Sequence, residues 1–91
     1  MNETQFEAFI HCVLDKNFID EMKQKWYLEA LQGCILALVN LPCLTDEEAK
    51  RKTAIVITRA YVSELITAEE SQSLMRFRRD VLKTYRKGVK F

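Results

Sequence analysis

The chain has 91 residues, 48% hydrophobic and 30% charged, which is the composition of one ordinary globular domain and excludes a disordered segment. Two glycines and one proline are too few for the many turns of a β-sheet protein, so long helices joined by short turns are favoured. The first residues lack the basic charge of a signal peptide, and no apolar run approaches the ~18 residues of a membrane span, so we expect a cytoplasmic protein.

The first predicted helix covers residues 4–15. Thr4 and Glu7 have the spacing of a capping box, in which each side chain accepts a hydrogen bond from an amide of the first turn. The apolar residues behind them recur at intervals of three and four, as in an amphipathic helix: Phe6, Phe9, Ile10, Val13 and Leu14. We therefore expect this face to be buried.

The second predicted helix covers residues 18–40, with Asn17 as its cap. Its inward face is predicted to be a narrow stripe whose upper residues are small enough for close approach of another helix: Ile19, Met22, Trp26, Ala30, Gly33 and Ala37. Residues 34–39 are all apolar and should be buried on every side. The helix should therefore be central in the core, and Pro42 ends it.

The third predicted helix covers residues 46–66 behind a second capping box, Thr45 and Glu48. Its inward residues are Ala49, Thr53, Val56, Ile57, Ala60, Tyr61 and Leu65. Residues 53–58 are rich in β-branched side chains and would also suit a buried strand. We favour a helix because no glycine, proline or asparagine interrupts residues 46–66.

The fourth predicted helix covers residues 68–87, from a third Thr-x-x-Glu cap at Thr67 and Glu70 to a terminating Gly88. The four helices together predict an all-α fold, a compact bundle of four helices with helix two central. The chain should form one domain over residues 1–91.

Charge is sorted along the chain, because residues 76–91 hold seven basic residues against one acid, while the first 75 hold seven against twelve. Most of these basic residues lie within an arc of about 100° on the fourth helix: Arg76, Arg79, Lys83, Arg86, Lys87 and Lys90. Arg78 instead falls within the apolar arc. It is expected to extend its guanidinium at the edge of the core, or to pair with a carboxylate such as Glu64, or to anchor another chain.

A second candidate patch lies on the third helix, where Ile55, Val62 and Ile66 fall opposite the main apolar arc. These side chains either contact a second neighbouring helix within the bundle or form an exposed strip for a partner or a second copy of the chain.

Catalytic and metal-binding patterns are missing from the sequence. The single histidine, His11, and its neighbour Cys12 point about 100° apart on a helix and cannot act as base and nucleophile together. Cys12, Cys34 and Cys43 lack the spacing of zinc ligands, and we expect reduced, buried or half-buried thiols that act as small hydrophobic residues. No glycine-rich loop is present to bind phosphate. We therefore expect no enzyme activity and no cofactor.

These patterns favour a small adaptor or regulator that acts through protein contacts. Its partner would be a protein with an acidic surface, bound by the basic residues of the fourth helix: Arg76, Arg78, Arg79, Lys83, Arg86, Lys87 and Lys90. The alternative is an accessory protein that binds the nucleic-acid backbone without sequence preference. Glu69 and Glu70 begin the fourth helix and would repel phosphate, which argues against a DNA recognition helix.

Overall fold

Four helices follow one another along the chain: α1 (Glu3–Val13), α2 (Lys16–Val39), α3 (Asp46–Val62) and α4 (Ala68–Tyr85). The computed structural model describes residues 2–89 and 91, with the backbone alone described over residues 16–25. Within these ranges there is no strand, so the all-α prediction is confirmed and residues 53–58 belong to α3. None of the helices in the described ranges combines the length and the hydropathy that crossing a bilayer requires.

The core forms where α2 packs against α1, α3 and α4, and where α3 packs against α4, which confirms the central position of the second helix. Every helix contributes fully buried side chains, among them Phe6, Ile10, Tyr27, Leu31, Ile35, Leu38, Val56, Ile57, Leu74 and Leu82. Burying a large aliphatic or aromatic side chain contributes about 1.5–3 kcal/mol relative to leaving it in water. Apolar burial therefore provides the main driving force for this arrangement.

The predicted capping boxes of α3 and α4 are both confirmed. The Thr45 hydroxyl accepts from the Glu48 amide at 3.1 Å, and the Glu48 carboxylate accepts from the Thr45 amide at 3.2 Å. Thr67 and Glu70 repeat the exchange at 3.1 and 2.7 Å. Each cap satisfies amides that have no partner within the helix, and a cap of this kind contributes about 1 kcal/mol.

The predicted cap of α1 is wrong, because the N-cap is Asn2, two residues before Thr4. The side chain of Asn2 accepts from the Gln5 amide at 2.8 Å, and the Gln5 side chain accepts from the Asn2 amide at 2.9 Å. Asparagine is at least as good an N-cap as threonine, so this pair prevails over Thr4 and Glu7. Glu7 is left to accept two hydrogen bonds from Arg59 of α3, both at 3.0 Å.

The inward face of α2 also differs from the prediction. Trp26 is 52% exposed, Ala37 is exposed, and an added Cβ at Gly33 would meet no atom within 4 Å, so no helix approaches the stripe closely at Gly33. The side chains of Ile19 and Met22, which were also predicted to face inward, lie outside the described residues. The opposite side carries larger side chains, Leu31, Ile35 and Leu38, whose burial removes more apolar area from water. Tyr27 is completely buried there, and its hydroxyl donates to the Val13 carbonyl at 3.1 Å.

Each of the four helices ends earlier than predicted, α1 at Val13 and α2 at Val39 instead of residues 15 and 40. Asn17 lies inside α2, which begins at Lys16, and α4 ends at Tyr85 instead of residue 87. α3 ends at Val62 because Glu64 adopts a left-handed conformation with φ of 62°. The amides of residues 64 and 65 then bond the carbonyls of residues 61 and 60, which is a Schellman motif with glutamate in the usual glycine position. This turn directs Ile66 into the core.

Candidate docking surface

Four exposed basic side chains lie along α4 and the turn that follows it: Arg76, Arg79, Lys83 and Lys87. We call these four residues the cationic surface. Within the described part of the chain none of them forms an ion pair, and neither does Asp80, the acid that lies among them. Their charges are therefore presented to solvent with no compensating contact from the described carboxylates.

Arg86 does not belong to this surface, in contrast to the prediction. Its side chain is only 13% exposed. Nε donates to the Val39 carbonyl at 2.8 Å, Nη1 donates to the Leu44 carbonyl at 2.6 Å and to Oδ1 of Asp46 at 3.2 Å, and Nη2 donates to the Leu41 carbonyl. One guanidinium therefore joins the end of α4 to the end of α2, the loop after it and the first residue of α3.

The position of Arg86 follows from where α4 ends. Because the helix stops at Tyr85, Arg86 has non-helical dihedral angles (φ −128°, ψ 76°), and its position on a helical wheel does not apply. The last carbonyls of α2 have no partner within the helix, and the planar guanidinium supplies several donors in fixed directions. The missing Cβ of Gly88 leaves space for the Asp46 carboxylate, with which a Cβ would collide.

Arg78 crosslinks α4 to the middle of α3 without a carboxylate partner among the described side chains. Its Nε donates to the Thr53 hydroxyl at 3.0 Å and to the Lys50 carbonyl at 3.3 Å, and Nη2 donates to the same carbonyl at 2.8 Å. Glu64 is not its partner. The half-buried position lowers the pKa of Arg78, and the charge of Arg79 lowers it further. The expectation of a guanidinium at the edge of the core is confirmed.

An aromatic ring that sequence patterns did not reveal lies next to the cationic surface. Phe91 is 51% exposed, and its ring centroid lies 5.1 Å from Nζ of Lys50, 5.4 Å from Cζ of Arg79 and 6.0 Å from Nζ of Lys83. Cζ of Arg78 lies 6.0 Å from the same centroid. These distances suit cation–π attraction. The ring thus connects basic side chains of α3 and α4.

An open groove of about 560 Å³ runs along α3 beside Arg78, and we call it the α3 groove. Its lining residues share one face of α3, apart from Arg78 itself: Glu47, Lys50, Arg51, Ala54, Ile55, Thr58, Arg59 and Arg78. Ala54 and Ile55 are half-buried. The groove therefore combines apolar side chains with a predominantly basic border.

The second predicted patch does not form a continuous surface. Ile55 lies in the α3 groove, and Val62 is 72% exposed at the end of the same helix. Ile66 is only 4% exposed because the chain has already left the helix and turned into the core. A helical-wheel projection places these three residues on one face only if α3 continues to residue 66, whereas the helix ends at Val62.

Lys52 is a buried basic residue that the sequence analysis missed. Its side chain is 1% exposed, and Nζ lies 3.1 Å from Oε1 of Glu3 and 4.5 Å from the centroid of the Phe6 ring. A possible signal was its place between Ala49 and Val56 on the inward side of α3. With the ion pair of Arg59 and Glu7, this contact fastens α1 to α3, so these charges are structural.

Another feature of the described residues lies away from the basic side chains. A small apolar pocket of about 160 Å³ lies between α1 and α2, lined by Phe9, Cys12, Val13, Tyr27, Ala30, Leu31 and Cys34. Burial raises the pKa of the Cys34 thiol and raises that of the Tyr27 hydroxyl to about 12, so both stay protonated and unreactive near neutral pH. Cys12 and Cys43 are exposed, in contrast to the expected burial.

Lys90, which the sequence assigned to the basic arc, lies outside the described residues.

Comparison with protein-family models, with curated proteins and with solved structures gave no match. The residues of the molecule itself are therefore the basis for any functional proposal.

Proposed function

We propose that this protein is a non-enzymatic adaptor or regulator that binds an acidic protein through its cationic surface. The observation that carries the proposal is the exposure of Arg76, Arg79 and Lys83 on one side of α4, and of Lys87 in the turn that follows, without a carboxylate partner among the described residues. Like charges held on one face produce a local positive potential that attracts and orients an acidic partner.

The contacts of two other arginines support a rigid presentation of this surface. Arg86 and Arg78 fasten α4 to α2, α3 and the loop between them, so the exposed cations keep a fixed spacing before a partner arrives. A preorganised surface loses less conformational entropy on binding. Arg86 and Arg78 thus act mainly by positioning α4, although both were first predicted as docking residues.

Apolar area beside the charges favours a protein partner over nucleic acid. The half-exposed ring of Phe91 and the α3 groove adjoin the cationic surface, and interfaces between proteins combine arginine with aromatic and apolar contacts. The exposed Glu69 at the start of α4 would repel a phosphate backbone that followed the helix. We place the protein in the cytoplasm, where its three cysteines would stay reduced.

Affinity capture from a nuclease-treated lysate of the source cells tests this proposal. The variant R79Q/K83Q removes two positive charges from the cationic surface. The control T4E/A8E lowers the net charge equally on exposed positions of α1. We expect wild type and control to retain the same acidic proteins, identified by mass spectrometry, and R79Q/K83Q to lose them. Equal retention by all three proteins, or capture that disappears with nuclease, would contradict the proposal.

A further inference from the structure

The α3 groove has the construction of an anchoring site beside the cationic surface. Ala54 and Ile55 offer apolar contact, while four of the eight lining residues are basic and one is acidic: Lys50, Arg51, Arg59 and Arg78 against Glu47. Arg51 and Arg59 are paired with Glu3 and Glu7 of α1, so the charge offered to a ligand comes mainly from Lys50 and Arg78. An apolar side chain of a ligand can bury its area against Ala54 and Ile55. The ligand groups next to that side chain would then lie beside the basic residues of the border. This combination suits a ligand that carries apolar and acidic groups close together.

Arg78 has a donor available for such a ligand. Two of its nitrogens, Nε and Nη2, are held by the Lys50 carbonyl and the Thr53 hydroxyl. Nη1 has no hydrogen-bond partner among the described residues. The guanidinium is thus fixed in orientation with one nitrogen unused, and an arginine bonded to a carboxylate forms one of the stronger hydrogen bonds in proteins.

The groove is continuous with the cationic surface. Lys50 and Arg78 line the groove and also contact the Phe91 ring, which in turn contacts Arg79 and Lys83. A single ligand segment that lies along this border would meet basic side chains from both helices.

We infer that the α3 groove binds an acidic segment of the partner protein that carries one leucine or isoleucine. The apolar side chain packs on Ala54 and Ile55, one neighbouring carboxylate accepts from Nη1 of Arg78, and others face Arg79 and Lys83. The cationic surface thus attracts the acidic segment, and the groove distinguishes segments that carry an apolar side chain from those that do not. This inference rests on the proposed function, since it names the class of segment that the same surface recognises.

A matched pair of probe peptides tests the inference by NMR on the ¹⁵N-labelled chain. Acetyl-Glu-Glu-Leu-Glu-Glu-amide and acetyl-Glu-Glu-Gly-Glu-Glu-amide carry the same charge and differ only in the apolar anchor. We expect the leucine peptide to shift the amides of Ala54, Ile55 and Thr58 and the Nε of Arg78. Burial of one leucine should make its binding about tenfold tighter than that of the glycine peptide.

A pair of variants on α3 provides the control. Ile55→Gln should abolish the advantage of the leucine peptide, whereas Val62→Gln, which changes an exposed apolar residue on the same helix, should leave it intact. Because Ile55 also packs against the core, the amide spectrum of each variant is compared with that of wild type. If Ile55→Gln unfolds the chain, the NMR shifts that the two peptides cause in the wild-type protein test the inference on their own.

The outcomes separate this inference from the proposed function. Equal affinity for both peptides, with shifts confined to Arg79 and Lys83, would overturn the groove inference and leave the proposed function standing. No shift with either peptide at about 10 mM in low salt would contradict both. A pentanucleotide that shifts the groove residues at lower concentration than either peptide would also overturn the groove inference.

Discussion

Nη1 of Arg86 lies 3.2 Å from Oδ1 of Asp46, so the residue that follows α4 is fixed to the residue that begins α3. The same guanidinium donates to the carbonyls of Val39, Leu41 and Leu44. The basic residues at the end of the chain are therefore of two kinds. Arg86 and Arg78 hold the bundle together, and the residues of the cationic surface are exposed.

Removal of the Arg86 side chain is expected to destabilise the fold. Arg86→Ala leaves several carbonyls without a donor and should lower the free energy of unfolding in urea by about 3 kcal/mol. Arg86→Lys should recover only part of this loss because one ammonium group cannot reproduce the planar set of donors. Lys87→Ala, an exposed neighbour, should change stability by less than about 0.5 kcal/mol. Equal effects at the two positions would disprove the structural role of Arg86.

At position 52, loss of side-chain volume should lower the free energy of unfolding more than loss of the charge. Lys52→Met keeps the buried stem beside Phe6 and should change the free energy of unfolding by no more than about 1 kcal/mol. Lys52→Ala removes the stem and should cost about 2–3 kcal/mol. Chemical denaturation of both variants checks this order. A methionine variant as unstable as the alanine variant would show that the ion pair with Glu3 dominates.

Glu64 occupies a left-handed position that usually belongs to glycine. A non-glycine residue in this conformation costs about 1–2 kcal/mol, partly offset by the greater flexibility of glycine in the unfolded chain. Glu64→Gly should therefore raise the free energy of unfolding by about 0.5–1 kcal/mol, whereas Glu64→Ala should not. Thermal unfolding of the two variants distinguishes them. A destabilised glycine variant would mean that the Glu64 side chain has a stabilising role of its own.

The ion pair of Glu7 and Arg59 gives a pH dependence with a defined sign. The hydrogen bonds from Arg59 hold the pKa of the Glu7 carboxyl below its ordinary value. The pair therefore stabilises the fold fully above the pKa that Glu7 has when unfolded, and this stabilisation disappears as the pH falls through the lowered value. Arg59→Gln should be less stable than wild type at neutral pH, and the difference should vanish in acid.

NMR titration of the carboxyl groups provides the control for this prediction. In Arg59→Gln the pKa of Glu7 should return towards its ordinary value. The pKa of Glu48 is lowered mainly by its hydrogen bonds with Thr45, so it should stay low in the same variant. An unchanged pKa of Glu7 would contradict the assigned cause.

The helices were predictable because their signals are local. Thr45 with Glu48 and Thr67 with Glu70 specify two helix starts within four residues each, and the absence of breakers between residues 46 and 62 favours helix over strand. The end of α3 was not predictable, since a glutamate replaces the glycine that normally marks a Schellman motif.

The candidate surface was predictable only in part, because the roles of its residues depend on distant segments. The wheel correctly grouped Arg76, Arg79 and Lys83 on an exposed face. It misplaced Arg86, whose partners belong to the end of α2, the loop after it and the start of α3, 40 to 47 residues earlier in the chain. No periodic pattern in the sequence predicts where the Phe91 ring lies, because its contacts form only when α3 and α4 pack together.

The central claim is that the exposed cations of α4 bind an acidic partner and are dispensable for folding. Fluorescence anisotropy of labelled acetyl-Glu-Glu-Leu-Glu-Glu-amide with wild type, R79Q/K83Q and T4E/A8E tests it most directly. We predict that R79Q/K83Q binds about tenfold more weakly than the other two, with an unchanged free energy of unfolding. Equal affinity in all three proteins, or an R79Q/K83Q variant that unfolds while T4E/A8E does not, would contradict the claim.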